Sequence, residues 1–522
     1  MPRSIRSRVA VMAALAVGAA LLSAAAASAQ GPVDELSESD AGEILDTAQA
    51  TVAPQAAPAD AEPAADASVA MHDLAAAVPA LAGDERREAN ALLARPTDGA
   101  DDPIRDGYPA GARIASAESP NFCVFWVDDA GFQDAPDLTD ANGVGDGDGT
   151  PDYVESLLGI AEYSRGIEVA PGPLAWKPPK PDKEGCGADP GAHADIYLKQ
   201  LGKKGLFGYQ TVDPGQGRKR SQYGYMVLDN DFAKAEFGYD DPSVPAKVTF
   251  AHEYNHLLQS NYDVFQDSWM FESTATWVEE KVYPEVNDYL GYVPAFARYP
   301  SQPVTELFPP QDKKALRIYG AATWNHWLDT GGGGYGAETI RRAWEVSDAT
   351  EPADFALAAY DKAISSAGDR GFGREWAAFT AATAEWRTGF AGLPDADRYP
   401  DVKRKGSLGD GKSASLKLDH TAYSLFDLGP AGGDLKLTVT VDEGVRAAVA
   451  IVGRDGDAVG GAVTQKLKYL KSGGRRTVTL SEADRYERLT AVVVNADMRV
   501  SGFEAGDWVY SRDNARFQIN RG

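Results

Sequence analysis

Positive charge is scarce in this 522-residue chain: 51 Lys and Arg stand against 77 Asp and Glu, a formal net charge of −26. That balance excludes the phosphate-neutralising face that nucleic-acid binding requires, and it excludes electrostatic attachment to anionic membranes. Cysteine is nearly absent, and two residues cannot staple a small scaffold. Long apolar runs are missing beyond the N-terminus, so no membrane span is expected once that segment is removed. The glycines from Gly331 to Gly334 are not followed by Lys-Ser or Lys-Thr, which argues against a phosphate loop and for a connection between helices. What is present, 43% hydrophobic and 25% charged residues, fits a globular protein of two or three domains.

The first 29 residues place Arg3, Arg6 and Arg8 before an apolar run from Val9 to Leu22 and then Ala27-Ser28-Ala29. This is the order of a secretory signal, and it predicts a secreted protein beginning at Gln30; an uncleaved anchor is the alternative. From Gln30 to Glu85 there is no Lys or Arg, and Ala, Pro, Asp and Glu dominate, which predicts a disordered stretch. Within residues 30–103, Val69 to Arg95 carries Met71, Leu74, Val78 and Leu81 at helical spacing, interrupted by Pro79. The segment reads either as a precursor leader or as an acidic tail or linker.

Residues 104–404 begin with strand-like runs from Ala112 to Asp128, Ala194 to Leu198 and Tyr223 to Leu228, and turn helical beyond Pro245. The expected class is α+β, sheet first and helices after. From 405 to 522, apolar runs such as Leu435 to Val441, Ala447 to Val452 and Arg488 to Asn495 alternate with Gly- and Asp-containing turns, predicting a β-sandwich. It resembles the accessory β-sandwiches of secreted peptidases. Binding a surface polymer and plain structural support are equally open for it.

The sharpest signal is His252-Glu253-Tyr254-Asn255-His256, flanked by Phe250, Ala251, Leu257 and Leu258. On a helix the two histidines project from one face a turn apart and can meet one zinc ion, and Glu253 beside them can act as general base. With the histidine content of this chain, chance alone yields such a pattern about 0.004 times. A metzincin would place a glycine and a further histidine where Gln259 and Tyr262 stand, so that class is excluded. Downstream, Glu272 opens the run Glu272-Ser273-Thr274-Ala275-Thr276-Trp277, and a helix packed back on the first would bring it in as third ligand. The alternative is a first-turn acid favoured by the helix dipole.

These residues resemble secreted bacterial metalloproteases of the gluzincin type, in which a histidine pair on one helix is completed by a Glu on the next. The likeness covers His252 to His256, Glu272 to Trp277 and, more loosely, Phe122 to Leu328. It implies a zincin-like domain, His252, His256 and Glu272 as zinc ligands, Glu253 as base, and a protein or peptide substrate. Some gluzincins place an Asp four residues after the Glu ligand to orient a histidine; here that position is Thr276. Glu279 is the substitute, with a solvated helix acid as the alternative. An oxyanion donor is also needed, and Tyr319 and His326, seven apart and on one face if Ile318 to Leu328 is a continuous helix, are the candidates; core packing is the alternative for both.

Two further features accompany this. Reading Glu155 as the closing carboxylate of a calcium loop puts Asp146, Asp148 and Asp152 at oxygen-ligand positions, with Val144 where the first Asp belongs and Asp140 or Asn142 as its replacement. A structural Ca2+ site and an ion-free Gly/Asp turn are both open. Cys123 and Cys186 are either one disulfide or two buried thiols. The leading expectation is a secreted zinc metallopeptidase. A non-catalytic metal-binding or adhesion protein with a degenerate site is the alternative, distinguished by whether the metal position opens into a cleft. A purely structural zinc site leaves Glu253 unexplained.

Overall fold

A computed structural model of the chain describes residues 36–52, 67–98, 107–140, 147, 149–186, 190–217, 219–309, 312–349, 355–368, 370–499, 502–504, 507–509 and 513–522. The signal-like segment 1–29 lies outside them. Residues from Asp34 to Gly522 form one compact unit of mixed α+β structure.

Strands β1 (Ile114–Glu118), β2 (Phe122–Val127), β3 (Ala194–Lys199), β4 (Gly208–Val212) and β5 (Gly224–Asp229) form a sheet in the order β1-β2-β3-β5-β4. The β2, β3 and β5 strands run parallel, while β1 and β4 are antiparallel edges. A parallel β2–β3 pair needs a crossover, and between them lies α4 (Asp152–Glu168), burying Val154, Leu157, Ile160 and Ala161. The reading of sheet first and helices after is therefore corrected: α4 interrupts the sheet region. Cys123 on β2 is disulfide-bonded to Cys186 in the loop before β3, across a Cα separation of 5.9 Å.

Because side chains alternate along a strand, the sheet has two different faces. One carries Phe122, Val124, Ile196, Leu198, Met226 and Leu228 and packs on α4 and on α6 (Ser243–Ser260). A short α5 (Lys234–Phe237) precedes α6, and α7 (Ser268–Val282) follows it. From Val248 to Ser260 every residue of α6 is buried, as expected of a helix enclosed by protein on all sides.

The opposite face, with Tyr197, Tyr225, Val227 and Tyr209, is covered by the N-terminal helices α1 (Glu38–Val52), α2 (Ala67–Ala77) and α3 (Gly83–Leu92). The expected disorder through Glu85 is thus not what α1 and α2 show. Ala41, Leu45, Ala48 and Val52 make a buried stripe at helical spacing on α1, and Met71 and Leu74 are buried on α2. Composition understated this segment because its apolar surface is contributed by the sheet it lies on. Each fully buried Met or Leu stabilises by about 1.5–3 kcal/mol.

Further helices α8 (Val293–Arg298), α9 (Arg317–Gly320), α10 (Ala322–Asp329), α11 (Ala337–Ala349), α12 (Ala356–Ala367) and α13 (Phe372–Ala382) complete the helical part. Beyond it lie two antiparallel-rich sheets. One runs Ala462–Leu470, Ala447–Asp455, Arg488–Asn495, Tyr423–Asp427, Arg404–Ser407; the other runs Gly474–Leu480, Leu435–Val441, Ala515–Arg521, Ser413–Leu418. Leu437, Val439, Val449, Ile451, Val493 and Ile519 share a core between them. The first sheet turns its other face, with Leu425, Ala450 and Val492, into the core that holds Trp376 of α13. Among the described residues no helix is long and apolar enough to cross a membrane.

Candidate metal centre

Helix α6 carries His252, Glu253 and His256; after the turn through Asp267, α7 returns along it with Glu272 in its second turn. The small Ser273 and Ala275 are fully buried on α7, and Asn325 Nδ2 of a later helix donates to the Ser273 carbonyl at 2.9 Å. Nε2 of His252 lies 3.1 Å from Glu272 Oε2, and Nε2 of His256 lies 3.5 Å from Oε1 of the same carboxylate. One donor atom from each of the three residues falls within 4.8 Å of the others. Two imidazole nitrogens and one carboxylate at this separation are a donor set suited to zinc, so the residues fit the ion that the motif implies.

The remaining ring nitrogens are fixed by hydrogen bonds. His252 Nδ1 is 2.6 Å from Glu279 Oε1, and His256 Nδ1 is 2.8 Å from Gln259 Oε1. With a carboxylate and an amide oxygen as acceptors, both Nδ1 atoms carry the proton and both Nε2 lone pairs are turned toward Glu272. Glu279, two turns beyond Glu272, is buried and takes the orienting place that Thr276 cannot fill; the alternative of a solvated helix acid does not hold. Burial, partly opposed by the His252 hydrogen bond, pushes its carboxyl up to about 7.

Sequence reasoning missed the support for His256. Gln259 Nε2 donates to Asn255 Oδ1 at 2.8 Å and to the Phe271 carbonyl at 3.2 Å, which orients its Oε1 toward His256. Asn255 Nδ2 in turn donates to Glu168 Oε2 at 3.1 Å, a carboxyl that burial holds well above the usual range. The signal that could have found Gln259 is its i+3 position after His256 on the same helix.

Glu253 is placed beside the histidines as expected. Its Oε2 accepts a 2.9 Å hydrogen bond from the hydroxyl of Ser68, on α2 of the N-terminal segment, a contact no local motif announces. The whole group is inaccessible: His252 is 6%, Glu253 2%, His256 1% and Glu272 0% exposed. Next to it is a cavity of about 60 Å³ lined by His252, Glu253, Glu279, Asp288, Tyr292 and Tyr319 among others.

The two oxyanion candidates separate. Ile318 to Leu328 is not one helix but α9 and α10 with Ala321 between them. Gly320 sits where α9 meets the start of α8, and a Cβ there would lie 2.5 Å from the Tyr292 carbonyl. Tyr319 stays at the centre, its ring stacked 6.1 Å from that of His252. His326 is turned instead against the Tyr289 ring, 4.9 Å away, and does not line the cavity; it is a core residue.

Of the calcium loop, Asp146 and Asp148 lie outside the described residues, while Asp152 and Glu155 stand in the first turn of α4. Asp140, proposed as the missing oxygen ligand, accepts the amides of Gly147 and Gly149, each at 2.9 Å, and so closes the loop on itself.

No family profile matches this chain, and no curated protein matches it. Among solved structures, it is similar to a Family 16 Carbohydrate Binding Module-2 at 15% identity and a TM-score of 0.12, covering 21% of this chain and 68% of that one. A second is the GH115 4-O-methyl-alpha-glucuronidase BtGH115A, described as specific for decorated arabinogalactans, at 10% identity and a TM-score of 0.12, covering 64% of this chain and 52% of that one. Likeness this slight carries no argument about fold or activity.

Proposed function

We propose that the chain is a secreted zinc metallopeptidase with a zincin-like domain, followed by a β-sandwich that serves it as an accessory. The observation that carries this reading is the convergence of His252, His256 and Glu272 with Glu253 one residue from the first ligand. When bound there, zinc supplies Lewis acidity toward a scissile carbonyl and makes a water more acidic. Glu279 and Gln259 hold the two imidazoles in the tautomer that presents Nε2. Glu253 takes up a proton at its carboxylate and delivers it to the leaving amine. Tyr319, beside His252, is the candidate donor to the oxyanion.

Replacing Glu253 by Gln preserves the ligands and removes the base. On this reading Glu253→Gln retains about one equivalent of zinc and loses at least about a hundredfold in hydrolysis of an unstructured protein. Undiminished turnover would remove Glu253 from the mechanism.

The burial of the centre favours a second reading, a non-catalytic metal-binding protein, if that burial is permanent. Zinc retained without hydrolysis after the site is uncovered would select it.

A further inference from the structure

A centre that cuts peptides must admit one, and this centre does not. Its cavity of about 60 Å³ has room for about two water molecules, whereas sites that hold ligands measure about 300–1,000 Å³. On the side of β4, what stands against the centre is the leader. Helix α2 packs on β4, the outer strand of the sheet. Ser68 Oγ accepts the Gln210 amide of that strand at 2.9 Å and donates its single proton to Glu253 Oε2. One turn on, the His72 ring lies 4.6 Å from that of Phe271, the neighbour of Glu272. The proton-accepting carboxylate is therefore engaged by a leader hydroxyl.

The leader is also anchored. Arg95, three residues beyond α3, is buried, with Nε 2.6 Å from Asp213 Oδ1 and Nη2 2.6 Å from Asp182 Oδ2. Its Nη1 pairs with Asp195 on β3, and the Tyr225 hydroxyl donates to the Ala94 carbonyl at 2.8 Å. Asp195, Asp213 and Tyr225 lie at one end of the adjacent strands β3, β4 and β5, so the segment is held both there, at Arg95, and at Ser68 beside Glu253.

We propose that residues 36–52 and 67–98 are an intramolecular inhibitor of the His252/His256/Glu272 centre, in which Ser68 engages Glu253 and α2 packs on β4 beside it. This rests on reading the centre as hydrolytic. The leader then keeps the catalytic base from its substrate until the segment is released.

The test uses the full chain loaded with zinc, with the recognition sequence of a site-specific protease replacing residues 99–106. A peptide hydroxamate, which binds zinc, is titrated by fluorescence anisotropy, and hydrolysis of a reduced, carboxymethylated protein is followed in parallel. Cutting a chain that also carries Leu45→Asp, which weakens the packing of the leader through the buried stripe of α1, should tighten hydroxamate binding at least about tenfold, because apparent affinity scales with the open fraction. In the uncut chain, Ser68→Ala should tighten it about tenfold, the size of one hydrogen bond to a charged acceptor. Equal affinity before and after release, or no binding in either, overturns the inhibitor. Equal affinity in uncut wild type and Ser68→Ala overturns the part given to Ser68. Tighter binding with no hydrolysis upholds the leader's role and overturns the peptidase reading instead.

Discussion

At the scale of the residue, the centre divides into what spacing reveals and what only packing reveals. His252, Glu253 and His256 were legible because one helical turn places them together regardless of the rest of the fold. Glu272 was legible only by supposing that α7 folds back, which it does. Glu279 was legible as an orienting acid, with a solvated helix acid as its alternative, and burial decides between the two; Gln259 was missed, although its i+3 spacing from His256 was there to be read. Their role is measurable. Glu279→Ala removes the acceptor from His252 Nδ1, and zinc affinity measured by competition with a chelator should fall about 10- to 100-fold. His326, which left the site for the core, makes a different prediction. Burial, aided by the Lys281 charge, lowers its pKa to about 3 from 6.5. The unfolded chain therefore binds a proton that the folded chain refuses. The stability contributed by this group is complete above pH 6.5 and is lost as pH falls toward 3, at up to about 1.4 kcal/mol per pH unit. Denaturant titrations of His326→Gln between pH 6 and 4 should show a shallower loss than wild type; parallel slopes would place a charged His326 in the fold.

At the scale of the element, strands with continuous or regularly alternating apolar residues, Leu435–Val441 among the latter, were read correctly, and some edge strands of mixed composition were missed. β2, β3 and β5 are interior and carry their own signal. β4, Gly-Tyr-Gln-Thr-Val at the sheet edge, does not, although it is the strand nearest the leader's contact with Glu253. Ala462–Leu470 was missed for a similar reason: Lys466 and Lys468 face solvent at a sheet edge. The interval from Ile318 to Leu328 looked like one helix because its composition is uniform. It breaks after Gly320, whose missing side chain permits the approach of the Tyr292 carbonyl, and this break is what parts Tyr319 from His326.

At the scale of the whole molecule, the acidic, alanine-rich leader is the largest departure from expectation. Composition marks it as unable to fold alone, and physically that holds: its buried stripe is matched by tyrosines of the sheet and by four carboxylates around Arg95, not by itself. The boundary at 404/405 is legible as a change of secondary structure, yet the packing runs through it, with Trp376 donating to the Thr421 carbonyl at 2.8 Å and Glu385 pairing with Arg454 and Arg488. The functional proposal turns on the buried group of His252, His256 and Glu272. The most direct test is anomalous diffraction at the zinc edge from crystals of the full chain. The account predicts a single strong peak at about 2.0–2.2 Å from His252 Nε2, His256 Nε2 and a Glu272 oxygen. A zinc-loaded crystal with no peak there, or with its peak elsewhere, would contradict it.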